Sequence, residues 1–243
     1  MLEVRATPEE IDARLSQTAA VLRLTGGDVL DQAVAGPALL AAVITEARQL
    51  GATAIELKAS AAGEIHDAMA AANGLTLRRE VLRLGRDLPV GEPWSLGLRP
   101  FRVGEDEDAW LAVNNRAFAW HPEQGGWTRA DIAAREAEPW FDPSGFLVHE
   151  RDGRIVAFCW TKVHADERPP LGEIFVIGVD PDAGGAGIGR AIVLAGLDHL
   201  AARGLHDAIL YVESTNERAR ALYDHLGFTT VWSDRWWARD LTP

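Results

Sequence analysis

A cluster of glycines between residues 180 and 190 has the composition of a phosphate-binding loop. It follows an apolar stretch that ends at Val179, and its members are Gly184, Gly185, Gly187 and Gly189. The N–H groups in the first turn of a helix lack partners within that helix, and glycine lets an anion approach them closely. The pattern therefore indicates a phosphate site at the start of a helix, with a glycine-rich turn that holds no ligand as the alternative.

Two common phosphate loops do not fit this sequence. A P-loop needs Gly-Lys-Ser/Thr, which is absent. A dinucleotide loop needs Gly-x-Gly-x-x-Gly, and Arg190 and Ile192 stand where its last glycine should be. The loop must therefore hold a different phosphate ligand, if it holds one.

A second pattern follows at 210–228, where Leu210-Tyr-Val-Glu-Ser-Thr-Asn216 leads into an amphipathic segment. Ala219, Leu222, Tyr223 and Leu226 recur there at helical spacing. Core packing is the plain interpretation of Tyr223 on this evidence alone.

In this order and spacing, the glycine loop and the segment Ala-Leu-Tyr-Asp-His-Leu-Gly-Phe resemble the GNAT acetyltransferases. That family's loop is Gln/Arg-x-x-Gly-x-Gly/Ala, and Gly187 and Gly189 match its glycines, whereas Gly184 replaces the Gln or Arg. The resemblance implies an α/β (α+β) fold with a mixed, mostly antiparallel sheet flanked by helices. It also implies acetyl-CoA as the donor and Tyr223 as the acid that protonates the departing thiolate.

Further segments at 121–128, 138–143, 160–164 and 171–176 resemble the C-terminal domain of the mycothiol synthases within that family. This resemblance implies transfer of acetyl to the cysteinyl amine of cysteinyl-glucosaminyl-inositol. Two alternatives remain: another small amine such as an amino sugar, and a CoA-binding module without catalysis.

The resemblance also assigns roles to individual residues. Glu173 matches the family's general base. The strand residues that face the acetyl group and the pantetheine arm of the donor match Ile177, Gly178 and Val179. The other donor positions are Gly184, Gly185, Ala186, Gly187, Ile188, Gly189, Arg190, Asn216, Arg218 and Ala221. The positions that match acceptor binding are Glu138, Lys162, Glu173 and Tyr211.

The chemistry of the acceptor agrees with these roles. An amine arrives as an ammonium ion, so a carboxylate must hold it and accept its proton. Glu173 stands in an apolar strand pattern, where an unpaired glutamate is rarely tolerated. A surface position remains the alternative for Glu173, as a solvated charge does for Glu138 and Lys162. His121 and His164 lack the carboxylate spacing of a metal site, so no metal is expected.

Proline and glycine residues along the chain indicate where the helices and strands that position these residues begin and end. Two prolines and a glycine at 87–95 predict a linker at 89–94, between a partial, degenerate GNAT-like domain at 1–88 and a catalytic domain at 95–243. Helices are predicted over 8–17, 36–50, 61–73, 106–118, 128–137, from the glycine loop to 203, and over 216–226. Strands are predicted over 19–24, 54–58, 75–84, 96–103, 145–150, 154–164, 171–179, 207–213 and 228–239. A second CoA site would need a glycine loop between Ala33 and Leu50, and Gly36 is the only glycine in that range. No CoA site is therefore expected in the first domain.

Composition limits the partners. The chain has 243 residues, 47% of them hydrophobic, and a net charge of −12 with lysine only at 58 and 162. Without a cationic cluster, neither nucleic acid nor an anionic membrane is an expected partner.

Cys159 lies between Phe158 and Trp160, which predicts a buried strand residue. No apolar run approaches the ~20 residues of a membrane span, and no secretory signal is seen, so a cytoplasmic protein is expected. The sequence gives no oligomeric state.

Overall fold

The computed structural model describes residues 21–25, 36–49, 52–121, 123–183, 185 and 187–241. The helix predicted over 8–17 and the first residues of the strand predicted over 19–24 lie outside this set. The chain forms two compact units, and the first consists of Met1–Arg83, Val212–Ala221 and Thr230–Pro243. The second consists of Leu84–Tyr211 and Leu222–Thr229. Each unit thus draws on more than one stretch of sequence, and the domain limits at 88 and 95 stay a prediction.

The described part of the chain contains nine strands and six α-helices. The strands are β1 (Val21–Thr25), β2 (Ala54–Ala59), β3 (Thr76–Asp87), β4 (Leu98–Pro100), β5 (Phe146–Arg151), β6 (Arg154–His164), β7 (Leu171–Val179), β8 (Asp207–Glu213) and β9 (Thr229–Asp240). The helices are α1 (Gly36–Gln49), α2 (Glu64–Ala72), α3 (Glu107–Ala117), α4 (Arg129–Glu136), α5 (Ile188–Ala202) and α6 (Glu217–His225). No helix in the described part of the chain has both the length and the apolarity to cross a membrane.

The first unit is a sheet with the strand order β1-β2-β9-β3. β1 and β2 are parallel, whereas β9 runs antiparallel to β2 with Arg235 opposite Ala59. Alternate residues of β2 are buried, because one face of this strand packs on a core that includes Leu40 of α1, Met69 of α2 and Trp237. A strand from the end of the chain therefore completes the sheet that the earlier residues begin.

The second unit is a sheet with the strand order β8-β7-β6-β5-β4. β5, β6 and β7 are antiparallel neighbours, and β8 runs parallel to β7. One side of β6 carries an aromatic core in which Trp160 is stacked on Phe146, with ring centroids 4.4 Å apart, and meets Trp110 of α3 edge to face. The other side of β6 and β7 packs on α5. Trp127 and Trp140 pack against the same core, so four tryptophans contribute to it.

Local sequence signals account for several boundaries. Asp152 and Gly153 both have positive φ in the two-residue turn that joins β5 to β6, as a twisted hairpin requires. α2 begins at Glu64 rather than 61, because Ala61 has a φ of +49° and Gly63 precedes the helix in an extended conformation. β4 is shorter than the predicted strand over 96–103, because the chain turns at Arg102, whose N–H donates to the Asp106 carboxylate.

The apolar helix α5 contacts the sheet through Gly196. A Cβ atom at this position would lie 2.5 Å from Cys159 Sγ and 2.8 Å from Ile174 Cδ1. At Gly189, near the start of the same helix, a Cβ atom would lie 3.7 Å from its nearest neighbour, Leu222 Cδ2. Only Gly196 is therefore required by close packing of the helix on the strands.

We expect Gly196→Ala to lower the free energy of unfolding by about 1–3 kcal/mol, the usual cost of overfilling a packed interior. Gly189→Ala is the matched control, and we expect it to be neutral or stabilising by up to about 1 kcal/mol, since alanine favours a helix. Urea unfolding of both variants measures the difference. Equal stability of the two variants would contradict the close packing at Gly196.

Candidate functional site

Two parallel strands of the second unit, β7 and β8, pair over only part of their length. β7 pairs with β8 at Gly172–Ala208, Glu173–Ile209 and Ile174–Leu210, and within these two fully described strands the pairing then stops. β7 nevertheless continues to Val179. The register of β6 against β7 shifts by one residue at the same level, since Trp160 faces Val176 and Thr161 faces Ile174. Phe175 is the extra residue, and this bulge bends β7 where it leaves β8.

Beyond Ile174, no strand in the described part of the chain pairs with β7 on the side that faces β8. Ile177, Gly178 and Val179, the predicted contacts of the acetyl and pantetheine arm, lie on this part of β7. Close packing also favours glycine at position 178, because a Cβ atom there would lie 2.8 Å from the Phe158 ring. The β8-facing N–H and C=O groups of β7 can therefore receive an extended ligand in place of a neighbouring strand.

The glycine loop lies just beyond this strand and opens α5. Gly185 and Gly187 have φ values of +99° and +74°, a region that side chains other than glycine rarely adopt. Gly187 precedes the first residue of the helix, Ile188, and its carbonyl accepts from Ala191 N at 3.0 Å. Gly184 and Ala186 lie outside the described residues. The glycines are thus required by backbone conformation, and the helix N-terminus supplies partial positive charge.

Acidic residues flank the loop and are held by arginines. Asp180 and Asp182, between β7 and the loop, both bind Arg116 at the end of α3. Arg190, a predicted donor contact, forms an ion pair with Glu92 and donates to Pro93 O at 3.3 Å. The pairing with Arg116 reduces the repulsion that the two aspartates would exert on an anion at the loop.

Three predicted donor residues belong to the first unit. Asn216 Oδ1 accepts from Ala219 N at 3.2 Å, so this side chain caps the start of α6. Arg218 and Ala221 lie on the exposed side of the same helix. The segment 216–221 therefore offers a capped helix terminus with an exposed arginine.

Tyr223 lies in the second unit, further along α6, and is buried with 6% of its surface exposed. Its ring meets Phe228 edge to face at 5.7 Å. Burial raises the pKa of the phenol above its usual value, and Cys159 nearby adds to the increase. Burial also raises the pKa of the Cys159 thiol, and the prediction that Cys159 is a buried strand residue is confirmed. Tyr223 is therefore a neutral donor over the whole physiological pH range.

Glu173 is a buried carboxyl group whose side chain contacts His164. Only 8% of its side chain is exposed, and its Oε2 lies 2.6 Å from Nε2 of His164 on β6. His164 is more exposed, at 27% of its side chain. The alternative of a surface position for Glu173 is thereby excluded.

The predicted acceptor residues lie in different surroundings. Lys162 is directly opposite Glu173 on β6, but its Nζ lies over the Trp140 ring at 4.7 Å and the Phe175 ring at 5.6 Å. Glu138 follows α4 and lies 3.6 Å from Arg135. Tyr211 on β8 is 44% exposed. The structure thus brings Lys162 and Glu173 together on one face of the β6–β7 pair.

A cleft of about 780 Å³ opens beside β6 in the second unit. Lys162, His164 and Trp140 contribute to its wall, together with Thr161, His199, Arg203, Asp142, Asp166 and Glu167. Within the described ranges, no group of three or more His, Cys, Asp and Glu side chains is placed to hold a metal ion. His121, the other histidine considered as a ligand, accepts from Glu123 N and Gln124 N through Nδ1 and so stabilises its own loop.

Sequence reasoning missed three contributors to this site. The partnership of His164 with Glu173 depends on strand register, although the spacing Lys162-Val-His164 already placed the lysine and histidine on one face. Trp140 was seen only as part of a matching segment, and its contact with Lys162 spans a loop. Arg116 has no local signal, since its aspartate partners lie more than 60 positions away.

Comparisons with known proteins agree with the sequence patterns. Residues 112–228 match the model of the acetyltransferase (GNAT) family. A mycothiol acetyltransferase of Thermomonospora curvata is 52% identical over 168 residues, which cover 67% of this chain and 56% of the relative. A mycothiol acetyltransferase of Frankia alni is 49% identical over 207 residues, which cover 78% of this chain and 62% of the relative. The chain thus spans somewhat more than half the length of these curated relatives.

Solved structures show the same fold. A GCN5-related N-acetyltransferase from Sphaerobacter thermophilus has a TM-score of 0.70 at 20% identity, over 92% of this chain and 74% of that chain. A tandem GNAT protein from the clavulanic acid biosynthesis pathway has a TM-score of 0.62 at 17% identity, over 93% and 77%. The predicted α/β GNAT fold is confirmed. Residues 112–228 therefore belong to the acetyltransferase (GNAT) family, and the chain resembles the mycothiol acetyltransferases.

Proposed function

We propose that the protein is an acetyl-CoA-dependent N-acetyltransferase, and that its acceptor is the cysteinyl amine of cysteinyl-glucosaminyl-inositol. The observation that carries the proposal is Glu173, a buried carboxyl group on β7 one residue before the point where β7 and β8 cease to pair. The mycothiol acetyltransferases among its relatives support this choice of acceptor. The cytoplasmic location, the absence of a metal and the confinement of donor binding to residues 95–243 are parts of the same proposal.

Donor binding uses backbone groups more than side chains. The loop from Gly184 to Arg190 holds the pyrophosphate at the N-terminus of α5, where helix N–H groups attract an anion. The unpaired edge of β7 from Ile177 to Val179 binds the pantetheine arm. N–H groups on that edge polarise the thioester carbonyl, and their attraction increases as negative charge develops on its oxygen.

Acceptor binding and deprotonation take place beside Glu173. Glu138, Lys162 and Tyr211 contact the acceptor, and the cleft beside β6 gives room for a polar molecule next to Lys162 and His164. The acceptor amine loses its proton to Glu173, and its nitrogen then attacks the carbonyl carbon. As the C–S bond breaks, Tyr223 gives its proton to the thiolate, and the nitrogen loses its second proton to become the amide. That proton returns to the Tyr223 phenolate through solvent, and Glu173 releases its own proton to solvent.

Release of CoA against a panel of amines tests the proposal. The panel contains cysteinyl-glucosaminyl-inositol, glucosamine and simple primary amines, each with acetyl-CoA. The proposal expects the cysteinyl compound to give the highest kcat/KM. A higher kcat/KM for an amino sugar would replace the acceptor, and no turnover with any amine would leave a CoA-binding module.

We expect Glu173→Gln to lower kcat by about 10²–10⁴, the usual loss when a general base is removed. The affinity for acetyl-CoA should stay the same, since the carboxyl group serves the acceptor. Steady-state kinetics and calorimetry measure the two effects. Glu105→Gln is the control, because Glu105 is an exposed glutamate that contacts only Arg102 among the described residues. Near-normal kcat in Glu173→Gln would remove the base from the mechanism.

We expect Gly187→Ala to weaken acetyl-CoA binding by at least about tenfold, because a side chain is strained at a φ of +74° and the loop must shift. Gly204→Ala is the matched control. Gly204 has a φ of +79° and equally open surroundings just after the other end of α5. Calorimetric titration with acetyl-CoA should show the loss in Gly187→Ala alone. Equal weakening in both variants would mean that the strain acts through the stability of the helix and not through the loop.

Tyr223→Phe should lower kcat by a similar factor at every pH from 7 to about 10. The phenol donates only in its neutral form, which exists below its pKa, and burial raises that pKa above the usual value of about 10. Tyr223 therefore keeps its proton across this range, and the wild-type enzyme should show no alkaline fall that the variant lacks. An alkaline limb that disappears in Tyr223→Phe would contradict the buried, neutral phenol.

A further inference from the structure

We propose that His164 is the positioning residue of Glu173: its Nε2–H group holds Oε2 of the carboxylate and leaves Oε1 for the acceptor amine. This inference rests on the proposed function, in which Glu173 is the base. It is carried by the distance of 2.6 Å between Nε2 and Oε2, which is that of a strong hydrogen bond. No resemblance to a family assigned a role to His164.

The strand register explains why these two side chains meet. Lys162 pairs with Glu173 and His164 pairs with Leu171, so His164 and Glu173 are diagonal neighbours on one face of the β6–β7 pair. Diagonal neighbours lie about 7–8 Å apart at the backbone, within reach of long side chains. The contact between His164 and Glu173 is therefore fixed by the pairing of β6 with β7, and neither residue lies on a flexible loop.

A buried carboxylate needs a hydrogen-bond donor, and the nearest cation does not provide it. Lys162 stands opposite Glu173, yet its Nζ is over the rings of Trp140 and Phe175, and within the described residues no ion pair joins it to Glu173. His164 is the one hydrogen-bond partner of Glu173 in that same set. The histidine thus gives a hydrogen-bond partner to a side chain of which only 8% is exposed.

The direction of the hydrogen bond follows from the role of Glu173. An ionised carboxylate only accepts, so Nε2 must carry the hydrogen, which both the Nε2–H tautomer and the imidazolium ion provide. With Oε2 occupied, the second oxygen is the one that receives the proton of the amine. His164 touches no reacting atom in this arrangement and acts through the orientation of Glu173.

Two substitutions separate hydrogen bonding from packing. His164→Gln keeps a side-chain N–H near the position of Nε2, whereas His164→Leu fills similar space without a donor. We expect His164→Leu to lower kcat at least about tenfold, with the KM for acetyl-CoA unchanged, and His164→Gln to restore most of the loss. His149→Leu is the control, because His149 also lies on a strand and its Nδ1 contacts only Gly97 O at 2.8 Å. Equal losses in His164→Leu and His164→Gln would overturn the positioning role.

A double-mutant cycle tests whether His164 acts through Glu173. In a Glu173→Gln background, His164→Leu should cause no further loss of kcat, because the base that it positions is already gone. Additive losses would show that the two residues act independently and would overturn the proposal.

A spectroscopic measurement keeps this inference separable from the proposed function. In protein labelled with ¹⁵N-histidine, we expect Nε2 of His164 to be protonated at neutral pH, with a downfield N–H proton that is lost in Glu173→Leu. The signal is independent of turnover, so it reports on the hydrogen bond even if no amine is acetylated. An unprotonated Nε2 would overturn the proposal.

Discussion

The site depends on a backbone constraint, the end of hydrogen bonding between β7 and β8 after Ile174 and Leu210. A buried strand edge normally pairs, because unpaired N–H and C=O groups inside a protein are costly. Here β7 continues to Val179 without β8, and the extra residue Phe175 bends it away. An extended polar ligand in place of the missing strand offsets this cost, and this supports the proposal that the donor's pantetheine arm binds there.

The same strand carries Glu173, the proposed base, next to that opening. Glu173 is the last but one residue of β7 that still pairs with β8, so it is rigid, buried and adjacent to the free edge. Lys162, across the ladder, is kept from neutralising it by the aromatic rings of Trp140 and Phe175. Among the described residues, the Glu173 carboxyl group therefore forms its side-chain hydrogen bond with His164 and not with Lys162.

Local signals in the sequence predicted most helices, strands and turns of the described chain. Asp152-Gly153 and Gly187 were readable because each requires a positive φ that only a few residue types tolerate. The division into units was not readable, since β9 pairs with β2 across some 180 positions of sequence. The His164–Glu173 contact was missed for the same kind of reason: it depends on a register that the bulge at Phe175 shifts by one residue.

Acidic residues precede the glycine loop in the sequence. The chain has a net charge of −12, and Asp180 and Asp182 stand just before the glycines. An anion binds there only if backbone dipoles and nearby cations outweigh these carboxylates. Arg116 holds both aspartates, so the N-terminus of α5 faces an anion with less opposition. Gly184 has no side chain to offer, so the proposed binding of the pyrophosphate relies on backbone N–H groups. Gly185 and Gly187, with their positive φ values, set the path of the backbone there.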